Sequence, residues 1–132
     1  MVIRKSAEDY LESILMLKER LGYVRSIDIV NELGYSKPSV SIAMKKLREN
    51  GYIQMAPDGL ITLTDSGLSI ASHIYDRHKT ITRLFILLGV SPETAAEDAC
   101  KVEHDLNEET FRRIQEYVRG AEHGRQEETK RN

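Results

Sequence analysis

The sequence predicts a mainly α chain, an N-terminal winged helix-turn-helix with one β-hairpin followed by a helical dimerisation domain. Three observations predict it. Apolar residues recur at helical spacing up to about residue 50, two short β-favouring runs then flank Ala56-Pro57-Asp58-Gly59, and helical spacing resumes from residue 65. The predicted domains are 1–64, the winged helix-turn-helix, and 65–120, the helical domain, with 121–132 a polar, flexible tail.

Ser6-Ala7-Glu8-Asp9 reads as a capping pattern that opens the first helix, and Tyr10, Ile14, Leu17 and Leu21 form its apolar stripe, widened by Leu11 and Leu15. A short helix is expected from about Ser26 to Leu33, followed by the turn Gly34-Tyr35-Ser36. Ser36 is a good N-cap for a third helix that ends near Asn50-Gly51. Pro38 is tolerated in its first turn, where a backbone N–H has no intrahelical partner. Tyr52–Met55 and Leu60–Leu63 read as the hairpin strands, turned by Pro57-Asp58-Gly59. Thr64 or Asp65 then caps a long helix to Leu88, stopped by Gly89. Ser91-Pro92-Glu93 starts a helix expected to reach Leu106, and Asn107-Glu108-Glu109 starts one expected to stop at Gly120.

The bulk properties set limits. With 40% hydrophobic and 30% charged residues, the chain of 132 residues reads as globular, and no apolar run is long enough for a membrane span. Met1-Val2-Ile3-Arg4-Lys5 carries no sign of a leader, and the lone Cys100 fits a reducing compartment, so a cytoplasmic protein is expected. The formal net charge of −2 argues against indiscriminate nucleic-acid binding, but its distribution is uneven. Lys37, Lys45, Lys46 and Arg48 outweigh Glu49 in the third helix, whereas Lys101 stands alone among Glu93, Glu97, Asp98, Glu103, Asp105, Glu108 and Glu109. One segment suits phosphate and the other suits cations.

In a winged helix-turn-helix the third helix enters the major groove. Ser36, Lys37, Pro38, Ser39 and Ser41 are therefore expected to meet double-stranded DNA at its start, while Val40, Met44 and Leu47 face inward. Lys45 and Lys46 suit phosphate contacts, which position a module without specifying a sequence. A winged helix used for protein contact is the competing reading of the same elements.

Cys100, Glu103 and His104 lie at i, i+3 and i+4, so on one helix they project from one face and offer thiolate, carboxylate and imidazole to one transition-metal ion. They are expected to be exposed, so that replacing Glu103 or His104 leaves the fold intact. A buried, inert Cys100 and a solvated Glu103-His104 pair are the bland alternative. Asp9 and Glu12 share a face of the first helix, off the apolar stripe, and His78 lies on the long helix. Leu84, Phe85, Leu87 and Leu88 are expected in or beside a homodimer interface.

Glu8-Asp9-Tyr10-Leu11-Glu12, the segment Ser36–Leu47, Arg77-His78 and Glu97-Asp98-Ala99-Cys100-Lys101-Val102-Glu103-His104, in that order, resemble the diphtheria-toxin-repressor and manganese-transport-regulator family, in its shorter branch. The resemblance covers about residues 6–119. It implies a metal-dependent transcriptional repressor that binds a palindromic operator as a homodimer, with Mn(II) or Fe(II) as co-repressor and one or two ions per subunit. It implies Asp9, Glu12, His78, Glu103 and His104 as metal ligands, with Cys100 at the remaining ligand position, a glutamate in the manganese branch. A cysteine there resembles the iron-sensing branch, which in turn has methionine in place of Asp9 and further ligands where this chain has Thr82 and Ala96.

Enzyme classes fit poorly. There is no His-Glu-x-x-His and no Gly-rich phosphate loop, and no histidine has glutamate three residues before it, as di-iron bundles require. The alternative left open is a winged-helix regulator that senses no metal, or senses a small organic ligand.

Overall fold

A computed structural model describes the backbone of residues 5–131 and the side chains of residues 6–124. The Met1–Arg4 segment, read above as free of a leader, lies outside the described residues. The element order is α1 (Lys5–Leu21), α2 (Ser26–Leu33), α3 (Lys37–Glu49), β1 (Ile53–Met55), β2 (Ile61–Leu63), α4 (Asp65–Leu87), α5 (Pro92–Val102) and α6 (Glu108–Arg131). The chain divides into two compact units, the first ending at Tyr75 and the second beginning at Asp76.

In the N-terminal unit, Tyr10, Leu11, Ile14 and Leu17 of α1 pack with Val24, Ile29, Val40, Met44, Leu47, Ile53 and Ile61 into one buried cluster. That core reaches Ala71 of α4, so the first turns of α4 pack with this unit. Two details of α1 differ from the sequence reading. The helix is already formed at Lys5, so Ser6 lies within its first turn, and Leu21 is 40% exposed because the buried stripe ends at Leu17.

The helix-turn-helix follows its local signals closely. Gly34 closes α2 at φ 71°, a backbone conformation that is costly for residues with a Cβ, and its N–H bonds the Val30 carbonyl. The Ser36 hydroxyl accepts from the Ser39 N–H at 3.2 Å and donates to the Ser39 hydroxyl at 2.8 Å, capping α3 with Pro38 inside its first turn. Val40, Met44 and Leu47 are the buried face of α3.

The wing is an antiparallel pair in the register Ile53↔Leu63, Gln54↔Thr62 and Met55↔Ile61. Its turn is closed by Gly59 N–H to the Ala56 carbonyl at 2.8 Å, and the Asp58 carboxylate accepts from the Leu60 N–H at 3.1 Å. The Ile61 N–H also bonds the Val24 carbonyl at 2.8 Å, which joins the wing to the α1–α2 connection. Thr64 settles the start of α4. Its hydroxyl accepts from the Gly67 N–H at 3.2 Å and donates to the Gly51 carbonyl at 2.7 Å, so one side chain caps α4 and ties it to the end of α3.

The C-terminal unit comprises the rest of α4 with α5 and α6. Ser91 caps α5, whose Pro92 sits in the first turn. Two boundaries differ from expectation. α5 ends at Val102 rather than near Leu106, and α6 runs through Gly120 and Gly124 to Arg131 rather than stopping at Gly120. An interior glycine costs about 1 kcal/mol of helix propensity. Buried Val118 anchors the helix just before Gly120, and an exposed 3.6 Å pair between Arg83 and Glu122 lies just after it. No helix among the described residues is long and apolar enough to cross a membrane.

Candidate metal centre

The C-terminal unit gathers three donors from two helices. The ligand atoms of His78 on α4 and of Cys100 and Glu103 at the end of α5 all lie within 4.8 Å of one another. His78 Nδ1 is 2.9 Å from Glu103 Oε2 and 3.6 Å from Cys100 Sγ. Glu103 follows the last residue of α5 but keeps helical dihedrals (φ −61°, ψ −28°), which preserves its i, i+3 relation to Cys100. Cys100 is exposed and free, so it does not point into a core.

The expectation that Cys100, Glu103 and His104 share one helical face is corrected here. α5 has ended before His104, and its imidazole meets the other side of the Glu103 carboxylate, with Nε2 3.4 Å from Oε1. Glu103 thus stands between two histidines, one on each carboxylate oxygen. Nor is Glu103 exposed. It is 0% accessible, because the turn after α5 folds its side chain back against α4.

Arg77 holds that turn in place. This buried arginine, 7% accessible, donates to the carbonyls of Glu103 at 3.1 Å and Leu106 at 2.9 Å. It also pairs with Glu108 Oε2 at 2.7 Å, and its guanidinium lies 5.0 Å from the centre of the Phe111 ring. A planar group with several donors in fixed directions suits this bridging from α4 to both ends of the α5–α6 connection. Arg77 stands in the sequence only as the neighbour of His78; a basic residue on a helix is ordinarily solvated, and nothing local marks this one as buried.

The electrostatics fit a cation. Hydrogen bonding to Cys100 and then to Glu103 pushes His78 up to about 10, against the opposing effect of burial. At neutral pH this cluster therefore holds a proton on His78. Glu103 Oε1, fully buried, accepts no hydrogen bond among the described residues. A buried carboxylate oxygen without a donor is costly, and a metal ion is one group that satisfies it. Thiolate, imidazole and carboxylate together form a donor set of intermediate softness that fits Fe(II), Co(II) or Zn(II) and still admits Mn(II).

The His78 proton gives a pH prediction. A metal that takes Nδ1 must displace it, so affinity rises with pH up to about 10, by about tenfold per unit for one proton. Calorimetric titration at pH 7 in buffers of different ionisation enthalpy is expected to show at least about one proton released per ion. Binding with no proton release would mean that His78 is not a ligand.

Asp9 and Glu12 lie one turn apart on α1 in the N-terminal unit, Asp9 half-buried and Glu12 buried. On α3, Ser36, Lys37, Pro38, Ser39, Ser41, Lys45 and Lys46 are all exposed. Ser36 and Ser39 are engaged with each other in the helix cap.

Residues 3–60 match the iron dependent repressor N-terminal DNA binding domain, and residues 64–128 match the iron dependent repressor metal binding and dimerisation domain. The chain belongs to the iron-dependent repressor family. It is therefore a DNA-binding transcriptional regulator with a metal-binding and dimerisation domain, in a family of regulators rather than enzymes. Among its relatives, the transcriptional regulator MntR of Salmonella typhimurium is 37% identical over 108 residues, 82% of this chain and 69% of that protein. An HTH-type transcriptional regulator of Methanocaldococcus jannaschii is 38% identical over 117 residues, 86% of this chain and 93% of that one. The crystal structure of IdeR from T. acidophilum matches this iron-dependent repressor family member with a TM-score of 0.77 at 28% identity, over 89% of this chain and 55% of the other. A manganese-dependent transcriptional repressor in complex with manganese matches with a TM-score of 0.77 at 28% identity, over 85% and 52%. The chain spans about half the length of these two solved structures.

Proposed function

We propose that this iron-dependent repressor family member is a homodimeric, cytoplasmic transcriptional repressor that binds a palindromic operator when charged with Mn(II) or Fe(II), and so controls metal-homeostasis genes. The observation that carries this reading is the convergence of His78, Cys100 and Glu103, from α4 and the end of α5, with ligand atoms all within 4.8 Å of one another. His78, Cys100, Glu103 and His104 are the proposed ligands of the C-terminal unit. The family resemblance adds Asp9 and Glu12, and one or two ions per subunit.

A bound divalent cation supplies positive charge and fixed ligand directions. The protein's own contribution is to hold those ligands ready. Arg77 fixes the turn that carries Glu103 and His104, and Glu103 orients the His78 imidazole through its 2.9 Å hydrogen bond. Asp9 and Glu12 belong to the same helix bundle as α3, so an ion held by them would bear on the DNA-binding unit. A dimer needs its two recognition helices about 34 Å apart, and a fixed spacing raises affinity. Leu88 and Tyr117 of the dimerisation domain leave apolar side chains 67% and 60% exposed, which supports burial against a second copy.

Titration with Co(II) tests the site. The native protein is expected to develop thiolate charge-transfer absorption, and Cys100→Ser to lose it and bind Co(II) more weakly. A native Co(II) complex without that band would remove the sulfur from the ligand set and leave manganese favoured. Operator binding that is unchanged by a chelator would instead support a winged-helix regulator that senses no metal.

The DNA face carries its own expected result. Lys45→Ala and Lys46→Ala, both at exposed positions, should each lower the slope of log K against log salt by about 1 if each neutralises a phosphate. An unchanged slope in both variants would place the phosphate contacts elsewhere.

A further inference from the structure

Of the large apolar side chains of α3, Val40, Met44 and Leu47 are buried, and Ile42 is left 58% exposed. Its position follows from the helix. Ile42 is two residues from both Val40 and Met44, about 200° around the axis, so it projects away from the core. A β-branched side chain there is a mediocre helix former and leaves hydrocarbon in water. Among the described residues of the unit, none buries Ile42 and so compensates for this choice.

Its surroundings indicate what does. Ile42 lines a 240 Å³ groove with Ser41, Lys45 and Arg48, and Met44, Met55 and Ser26 form the rest of the wall. An apolar tip flanked by a hydroxyl and two cations, on a helix that also exposes Lys37 and Lys46, complements a surface that is anionic at its edges and locally apolar at its floor. The DNA major groove is such a surface. Phosphates line its rims, and the one apolar group that base pairs present on its floor is the 5-methyl group of thymine. A protein partner would need matching acidic residues around an apolar socket, whereas the DNA-binding domain match already covers residues 3–60.

We propose that Ile42 is a specificity-determining residue of the recognition helix, and that it selects thymine in each operator half-site by packing against the 5-methyl group. This rests on the DNA-binding reading above and adds the base that one side chain reads. Isoleucine has no hydrogen-bonding group, so it cannot use the donor and acceptor pattern of a base edge. Opposite cytosine or a purine it leaves polar edge atoms desolvated, and opposite thymine it gains one methyl contact. Arg48 and Lys45 beside it hold the backbone and set the register without reading sequence.

The test begins with selection of a bound sequence from randomised duplex DNA in the presence of Mn(II). Each thymine of the selected half-site is then replaced by uracil, which keeps every hydrogen-bonding group and lacks only the methyl. At one thymine position the native protein is expected to lose about fourfold in affinity per half-site, the worth of burying one methyl group, and about fifteenfold when both half-sites are changed. Ile42→Ala, at an exposed position, should keep its fold and bind the thymine and uracil duplexes within twofold of each other. A selected operator with no uracil-sensitive thymine overturns this assignment alone, as does an Ile42→Ala protein that keeps the full uracil penalty. Failure to enrich any sequence with either Mn(II) or Fe(II) overturns the proposed metal-dependent operator binding, and this assignment with it.

Discussion

Replacing Glu103 with glutamine is expected to lower affinity for Mn(II) by about 100-fold or more and to abolish metal-dependent operator binding. Loss of a group that only orients a ligand typically costs 10- to 100-fold, so loss of a proposed ligand that also hydrogen-bonds His78 should cost at least the upper end of that range. Glutamine preserves the shape and removes the charge. It leaves one carbonyl oxygen where the native carboxylate faces His78 at 2.9 Å on one side and His104 at 3.4 Å on the other. The amide NH₂ must then face one imidazole, and no cation is attracted to it. The change also touches the fold, since Glu103 is wholly buried and accepts a hydrogen bond from His78. A stability loss of about 1–3 kcal/mol in metal-free protein is expected for a disturbed buried hydrogen bond to a charged group. Metal titration by calorimetry and chemical denaturation of the same metal-free sample separate the two effects. Mn(II)-dependent operator affinity within threefold of native would take Glu103 out of the ligand set.

Gly67→Ala is expected to destabilise the N-terminal unit by about 3 kcal/mol or more and to remove operator binding at 37 °C. A Cβ at this position would be driven into the Tyr52 carbonyl oxygen, a backbone atom that cannot step aside as a side chain could. The same carbonyl accepts the Thr64 N–H at 3.1 Å, and the Thr64 hydroxyl caps α4 while bonding Gly51. Relief of the clash therefore moves the junction of α3, the wing and α4 together. Overpacking usually costs about 1–3 kcal/mol, and rigid backbone on one side places this case at or above the top of that range. The sign is informative. By helix propensity alone, alanine in a helix gains about 1 kcal/mol over glycine. Urea denaturation of Gly67→Ala, with Ser66→Ala as a neighbouring exposed control, reads the difference. A variant as stable as the native protein would refute the close approach.

Much of the molecule is legible from residues a few positions apart. Gly34, the Ser36–Ser39 cap with Pro38, and the Pro57-Asp58-Gly59 turn each act within three or four residues, so the limits of α2, α3 and the hairpin follow from them. The inward face of α3 follows from spacing alone, and the same arithmetic exposes Ile42. The resemblance supplied His78, which no local pattern singled out.

What the sequence determined by itself is this set of short-range structures, the family, and the residue types offered to a metal and to DNA. The tertiary structure decided how those groups meet. It brings His78 to Cys100 and Glu103 across more than twenty residues, turns His104 to the opposite carboxylate oxygen, and buries Glu103 where exposure was expected. It also continues α6 through Gly120, where a local stop signal was outweighed. The reason is one of range. Caps and turns are satisfied by neighbours along the chain, so their signals lie in adjacent letters. The arrangement of the donors depends on where α5 ends against α4, and Arg77 fixes that by binding Glu103, Leu106 and Glu108 at once, contacts that exist only after the helices have packed.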